Sequence, residues 1–279
     1  MKITALVENL SACGLKPTHG LSLYIQTEMH QLLFDLGPDN TLFENARRMG
    51  VDLSKIDTVI VSHGHMDHGG AMRHFLETNK KAKIYVQRRA FERHYSKFAF
   101  LMIDVGLDRS LETHPQVVLV DGDLEIDKEL SVFTVSNSSK CHSDANDSLY
   151  EGRRIDRFLH EQNLVIRGGQ TAVIVGCGHS GIVNIMERAS EYAPQCCVGG
   201  YHLYNPMTKK TVGESLLNEI AGSLLKYPQV QFYTCHCTGK DAYGYLSSRL
   251  PNMKYLYCGN TIDFGSIPEP SVDESDFSE

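Results

Sequence analysis

The segment Asp57-Thr58-Val59-Ile60-Val61-Ser62-His63-Gly64-His65-Met66-Asp67-His68-Gly69-Gly70 decides how this chain is read. Its first part is a short run of β-branched residues bounded by polar ones, the pattern of a buried strand. The run passes straight into a glycine-containing turn carrying His63, His65, Asp67 and His68. A lone histidine is more often satisfied or solvated than a ligand. Three imidazoles and a carboxylate crowded together after a core strand are costly to desolvate unless something compensates them. Ligand type and spacing point to a metal ion as that compensation. Nitrogen and oxygen ligands suit zinc, and also iron or manganese, so the pattern specifies a site more sharply than an element.

Downstream, the same arrangement of strand, glycine-rich turn and histidine recurs. Residues 163–167 and 171–175 flank Gly168-Gly169-Gln170 as a hairpin, which delivers the chain into Gly176-Cys177-Gly178-His179-Ser180-Gly181. A strand at 196–198 ends in Gly199-Gly200-Tyr201-His202-Leu203, and one at 231–234 ends in Cys235-His236-Cys237-Thr238-Gly239. Each histidine alone carries little weight; three in one structural context, beside the first cluster, carry much more. His179 and His236 are therefore candidate ligands. His202 and His19, the latter just ahead of a strand at 21–26, are candidate substrate contacts or proton donors, with packing as the equal alternative.

The rest of the chain alternates strands and helices. Strands are expected at 3–7, 31–35, 83–86, 116–120, 130–135, 254–257 and 261–264, and helices at 40–49, 71–77, 182–192, 212–225 and from 240. His74 belongs to a helix face. Residues 88–106 mix aromatics and arginines and are read as a helix, either lining a pocket entrance or simply amphipathic. The polar stretch 136–148 reads as a lid or binding loop, with His142 and Asp144 either near a metal or solvated.

Composition sets limits on function. At 279 residues, with 42% apolar and 22% charged residues, the chain can bury a large core as one domain, 1–266, ahead of an acidic, proline-containing tail at 267–279. A net charge of −7, from 27 basic and 34 acidic residues, argues against a nucleic-acid surface. Neither a membrane span nor a signal peptide is evident, so the expected location is cytoplasmic. The 8 cysteines are scattered through a mid-sized chain and are expected to be reduced. Cys235-His236-Cys237 alone is a weak metal signal.

The motif H-x-H-x-D-H after a strand resembles the signature of the metallo-β-lactamase superfamily. With His19-Gly20-Leu21-Ser22, Leu33-Phe34-Asp35-Leu36-Gly37, Gly176 to Gly181, Gly199 to Leu203 and His236 to Gly239, the chain is similar to one branch of it, the dihydropterin-aminobenzene phosphate synthase-like group. The resemblance implies an α/β fold built as a four-layer αββα sandwich, with two divalent metals at one edge. In such a site His63, His65, Asp67, His68, His179 and His236 hold metal, zinc first and iron or manganese as alternatives. Cys177 stands about where the superfamily places a bridging aspartate and is a possible further ligand. His179 fits the remaining ligand position by motif, and His160-Glu161 fits it by chain order.

The implied activity is a metal-dependent hydrolase that uses an activated water on an ester, lactone or phosphoester of a small molecule. Asp67 and His202 would be its catalytic groups, and His19 and His202 its substrate contacts. Two other readings stay open. One is a transferase joining a pterin diphosphate to an aminobenzene ribose phosphate; the other is a non-catalytic, metal-bound ligand sensor.

Overall fold

The strand Thr58–Val61 lies inside a seven-stranded sheet and is buried along its whole length, as its unbroken β-branched sequence requires. In spatial order this sheet runs Thr261–Asp263, Lys2–Val7, Ser22–Gln26, Gln31–Phe34, Thr58–Val61, Lys83–Gln87 and Val117–Val120. The last four strands are mutually parallel. The computed structural model describes residues 1–265 apart from 12 and 137, so the acidic segment read at 267–279 lies outside the described residues.

A second seven-stranded sheet runs Met253–Tyr255, Gln231–Thr234, Cys196–Gly199, Ala172–Val175, Asn163–Ile166, Leu130–Phe133 and Leu124–Glu125. Its first four strands are parallel, and the hairpin expected across Gly168-Gly169-Gln170 joins Asn163–Ile166 to Ala172–Val175. The two sheets face each other across a core that includes Ile3, Leu23, Phe34 and Ile60 from the first and Val132, Leu164, Ile174 and Val198 from the second.

Alternate residues of the same strands face outward. Val59 and Val61 pack against Leu42 and Phe75 of the helices Thr41–Arg48 and Met72–Thr78. Val173, Val175 and Phe232 pack against Ile185, Leu217 and Leu246 of the helices Ile182–Ala189, Glu214–Leu224 and Lys240–Ser247. Both faces of each sheet are covered, and the layers read α, β, β, α. In each sheet the turns carrying the candidate ligands leave the C-terminal ends of parallel strands, where crossover connections bring loops together.

Two expectations need correcting. Residues 88–106 do not form a helix: a 3₁₀ turn at Arg88–Phe91 leads into the antiparallel strands His94–Phe98 and Leu101–Asp104, with Ala99 at φ +54° in the bend. His94 and Ser96 point inward and Tyr95 and Lys97 outward, which is period two, not period 3.6. This hairpin pairs with Leu149–Glu151 and Arg154–Ile155 in a separate four-stranded sheet. The first histidine turn, moreover, is not all loop, because Met66–Gly69 closes into a single helical turn.

Candidate metal centre

The loops bring two sets of ligand-type groups side by side. His63, His65 and His179 form one; Asp67, His68, Cys177 and His236 form the other. Within each set the ligand atoms all lie within 4.8 Å of one another. All the histidines in both are buried, and Asp67 is partly open to the pocket in front of them.

Hydrogen bonding fixes the ring tautomers of the first set. Ser62 Oγ donates to Asp35 Oδ2, so it must accept from His63 Nδ1, 2.8 Å away. Asn146 Nδ2 donates to the carbonyl of His179, which leaves its Oδ1 to accept from His179 Nδ1 at 2.8 Å. Both rings therefore carry their proton on Nδ1. Burial, reinforced by neighbouring histidines, holds both well below the ordinary imidazole pKa, so both are neutral. Their Nε2 atoms then face each other at 3.3 Å with lone pairs only. Beside them His65 Nε2 is buried without any partner. Lone pairs converging in a buried cluster repel one another and pay a desolvation cost; a cation between them removes both penalties.

The second set is the more negative. His68 Nδ1 donates to Asp35 Oδ2 at 2.6 Å, and His68 Nε2 lies 3.2 Å from His236 Nε2 and 3.1 Å from Cys177 Sγ. Burial by itself lowers the His68 pKa, but the Asp35 and Asp67 carboxylates outweigh it and raise it to about 9. Asp67, against its own burial, is held well below the usual carboxylate range by His68, His236 and His19. These groups thus hold positive charge, here a proton on His68, in the place a metal ion would take. Burial raises the Cys177 thiol, which acts as a thiolate ligand only if a cation draws its proton off.

Several supporting residues escaped the reading of the sequence. Asp35, at φ +61°, accepts from the Ser62 N–H, from Ser62 Oγ and from His68. The hints were its position at a strand end and its place in the motif Leu33-Phe34-Asp35-Leu36-Gly37. Asn9 Oδ1 accepts from His236 Nδ1 at 2.9 Å, and Glu8 accepts the His236 N–H. Glu161 accepts the N–H groups of His179 and Ser180, which fixes the second histidine turn. A metal-ligating imidazole usually has its far nitrogen held in this way.

His179 and His160, between which chain order and motif differed, stand differently in the structure. His160 Nδ1 accepts the Gly64 N–H at 2.9 Å and its Nε2 donates to Asp156 Oδ2 at 3.1 Å, so neither nitrogen is free. Asp156 Oδ2 also accepts from His94 Nδ1 at 3.0 Å. The trio lies behind His65 and braces the loop.

The other candidates are placed as follows. His202, buried and at φ +45°, packs on His179 with ring centroids 4.2 Å apart and has an unpartnered Nδ1. It lies close to Cys177 and Cys237. His19 is half-exposed, with Nε2 3.4 Å from Asp67 Oδ2. His142 is exposed and pairs with Asp147, and Asp144 lies on a neighbouring surface groove; neither joins the ligand sets. From the stretch 136–148 it is Asn146 that reaches the centre. His74 stacks on Phe43 and bonds Asn40 on the surface. The cysteines among the described residues are all free. No helix among these residues is long and apolar enough to cross a membrane.

The sequence profile of the metallo-β-lactamase superfamily matches residues 15–142, which contain the first histidine turn. A crystal structure described as a metal-dependent hydrolase of the β-lactamase superfamily superposes with a TM-score of 0.79 at 26% identity, covering 94% of this chain and 98% of that one. Residues 15–142 thus carry the metallo-β-lactamase superfamily's domain signature, and the whole chain has the fold of that superfamily's proteins. The donor sets above suit the divalent metals that members of the superfamily bind, and metal-dependent hydrolysis is the activity that the superfamily suggests. Among curated relatives, an uncharacterized protein of Methanocaldococcus jannaschii is 27% identical over 264 residues, 93% of this chain and 99% of that protein. The 7,8-dihydropterin-6-methyl-4-(β-D-ribofuranosyl)-aminobenzene-5′-phosphate synthase of the same organism is a distant homologue. It is 25% identical over 273 residues, 88% of this chain and 90% of that protein.

Proposed function

We propose that this metallo-β-lactamase-fold protein is a hydrolase of a small-molecule ester or lactone, working with two divalent cations, zinc before iron or manganese. The observation that carries the reading is the set of bare, buried imidazole nitrogens of His63, His65 and His179, next to the acidic second set. When bound, the cations would lower the pKa of a water molecule and polarise the substrate carbonyl. His63, His65 and His179 would hold one; Asp67, His68 and His236 the other, with Cys177 positioned to add a thiolate.

The remaining work falls to the protein's own groups. Asp67 stays ionised and is open to the pocket, so it can accept a hydrogen bond from the attacking water and orient it. His202 lines the pocket with a ring nitrogen that no protein group satisfies, which suits it to donate to the departing oxygen. His19, at the rim beside Asp67, would contact the substrate.

Openness of the pocket favours catalysis over a sealed sensor site, since His65, Asp67, His179 and His236 all line it. The synthase homologue keeps a transferase reading alive, but no lysine or arginine is present among the described residues lining the pocket to grip a diphosphate. Hydrolysis of an uncharged ester therefore stands ahead of chemistry on a polyanion.

Elemental analysis of the protein purified without added metal tests the centre, alongside the His65→Ala and His179→Ala variants. About two zinc, iron or manganese ions per chain, falling in both variants, together with chelator-sensitive hydrolysis of p-nitrophenyl acetate, is the expected outcome. Metal content untouched by either substitution would overturn the ligand assignment.

A further inference from the structure

We infer that the pocket in front of the metal centre is a subsite for the hydrophobic arm of an uncharged ester, thioester or lactone, so that the substrate is chosen by apolar bulk. The inference rests on the hydrolase reading above and narrows its substrate class.

The wall facing the ligands is formed by Met66, Val105, Leu149, Pro206 and Met207, and the uncharged Ser96 stands among them. Met66 and Met207 are 46% and 40% exposed, although a flexible thioether side chain left open to water at a pocket mouth gains nothing in stability. The wall also continues beyond the pocket. In the hairpin register Ser96 lies opposite Leu149 on one side and Ile103 on the other, and Phe98 lies opposite Leu101. Cross-strand partners share a face of the sheet, and so do alternate residues of one strand, so Leu149, Ser96, Ile103, Phe98 and Leu101 lie on a single face. Its inner end lines the pocket. Its outer end carries Ile103, Phe98 and Leu101 at 42%, 46% and 52% exposure. A mainly apolar strip, with Ser96 between Leu149 and Ile103, thus runs outward from the ligand cluster.

One end of a substrate on this strip lies at the metal ligands and the other against carbon. Where a buried ester reaches outward, each added methylene leaves water for this surface, worth about two- to fourfold in transition-state affinity while it remains in contact. An anionic arm would meet no lysine or arginine among the described lining residues.

The test is hydrolysis of the p-nitrophenyl esters from acetate to octanoate, with bis-(p-nitrophenyl) phosphate for comparison, by the wild type and by Met207→Ser and Leu149→Ala. Calorimetric binding of uncleavable N-octylacetamide provides a readout independent of turnover. The expected result is a kcat/KM that rises at least tenfold from acetate to octanoate, through KM. That rise, taken relative to each protein's own acetate rate, should flatten in both variants, and octylacetamide binding should weaken in parallel. A preference for acetate would overturn the inference while leaving the hydrolase reading intact; a preference for the phosphodiester would overturn both the inference and the choice of a carboxylic ester or lactone, leaving only metal-dependent hydrolysis. If metal is bound but no ester or phosphodiester is cleaved, the hydrolase reading fails. Octylacetamide binding that is lost in Met207→Ser would then still support the apolar subsite, and absence of binding would overturn that as well. Phe98→Ser guards against another occupant. If it changes the oligomeric state in size-exclusion chromatography without changing chain-length preference, the outer strip belongs to a second copy of the chain and its assignment to substrate is wrong.

Discussion

Asn146 makes two hydrogen bonds to one residue, donating to the His179 carbonyl and accepting from His179 Nδ1. The second bond forces the ring's lone pair onto Nε2, toward His63. Asn146→Ala removes that constraint and lets the imidazole turn or change tautomer. Losses of this kind cost about 10–100-fold in metal affinity. Competition with a chelator should report that drop with the fold retained; unchanged affinity would mean that Phe158, stacked on His179 at 4.4 Å, orients the ring by itself. His202 makes the opposite claim, because it is placed to act on substrate and not on metal. His202→Gln should lower kcat by about 10²–10⁴-fold with metal content unchanged. Loss of metal in that variant would instead make His202 a ligand beside Cys177 and Cys237. The two residues differ in how visible they were. His202 announced itself by following a strand and a Gly-Gly pair. Asn146 is one of several polar residues in a turn-rich stretch, and its partner lies 33 positions away, a pairing set only by tertiary structure.

At the scale of the element, what was legible followed the strength of the local pattern. The strand at Thr58–Val61, the hairpin through Gly168-Gly169-Gln170 and the strand ends carrying His179 and His236 all show in residue type and turn chemistry. Residues 88–106 were misread because arginines and aromatics satisfy a helical face as readily as an alternating one when only one side is buried. What decides is the partner strand Leu149–Glu151, which lies far away in sequence. The brace behind His65 was hidden for the same reason, since His94 lies 62 positions from Asp156. Gly64 is pressed into this brace: a Cβ there would lie 2.6 Å from the Ala90 carbonyl and 2.7 Å from the His94 ring. Asp156 is held far below the usual carboxylate range, its hydrogen bonds from His160 and His94 overcoming burial. Asp156→Asn replaces two buried charge-assisted hydrogen bonds by neutral ones and sets an amide NH2 beside imidazole donors, a loss of about 1–3 kcal/mol. Thermal unfolding should show that loss in the metal-free protein, and metal capacity should fall as the His63-Gly64-His65 turn loosens. A variant of wild-type stability would reduce the trio to packing.

Across the whole molecule, the two sheets are joined at the end opposite the metal centre by a second histidine. His30, in the turn between Ser22–Gln26 and Gln31–Phe34, meets Asp57 Oδ1 at 2.7 Å through Nδ1 and Asp127 Oδ2 at 2.9 Å through Nε2. Asp57 precedes a strand of the first sheet, and Asp127 lies in the turn entering Leu130–Phe133 of the second. Partial burial lowers the His30 pKa, but the hydrogen bonds and charge of the two carboxylates outweigh it and raise it above 6.5. The folded chain therefore binds this proton more tightly than the unfolded one. The stability it brings is fully present below about pH 6.5 and is lost as pH rises through the higher folded value. Asp127 behaves in the opposite sense. Burial raises its pKa, but the N–H groups of Leu130 and Glu129 together with His30 lower it, so its contribution is lost as pH falls below the carboxylate range. The bridge should be strongest between about pH 4 and 6.5. Its partners are partly open to water, which limits the gain to about 1–2 kcal/mol. Urea unfolding of the wild type and His30→Gln from pH 4 to 9 should show the variant less stable near pH 6 and the gap closing at alkaline pH. Because the bridge lies at the end opposite the ligands, metal content should be equal in the two proteins throughout. A stability gap that does not change with pH would show that His30 joins the sheets as a neutral ring, by packing and geometry instead of by charge.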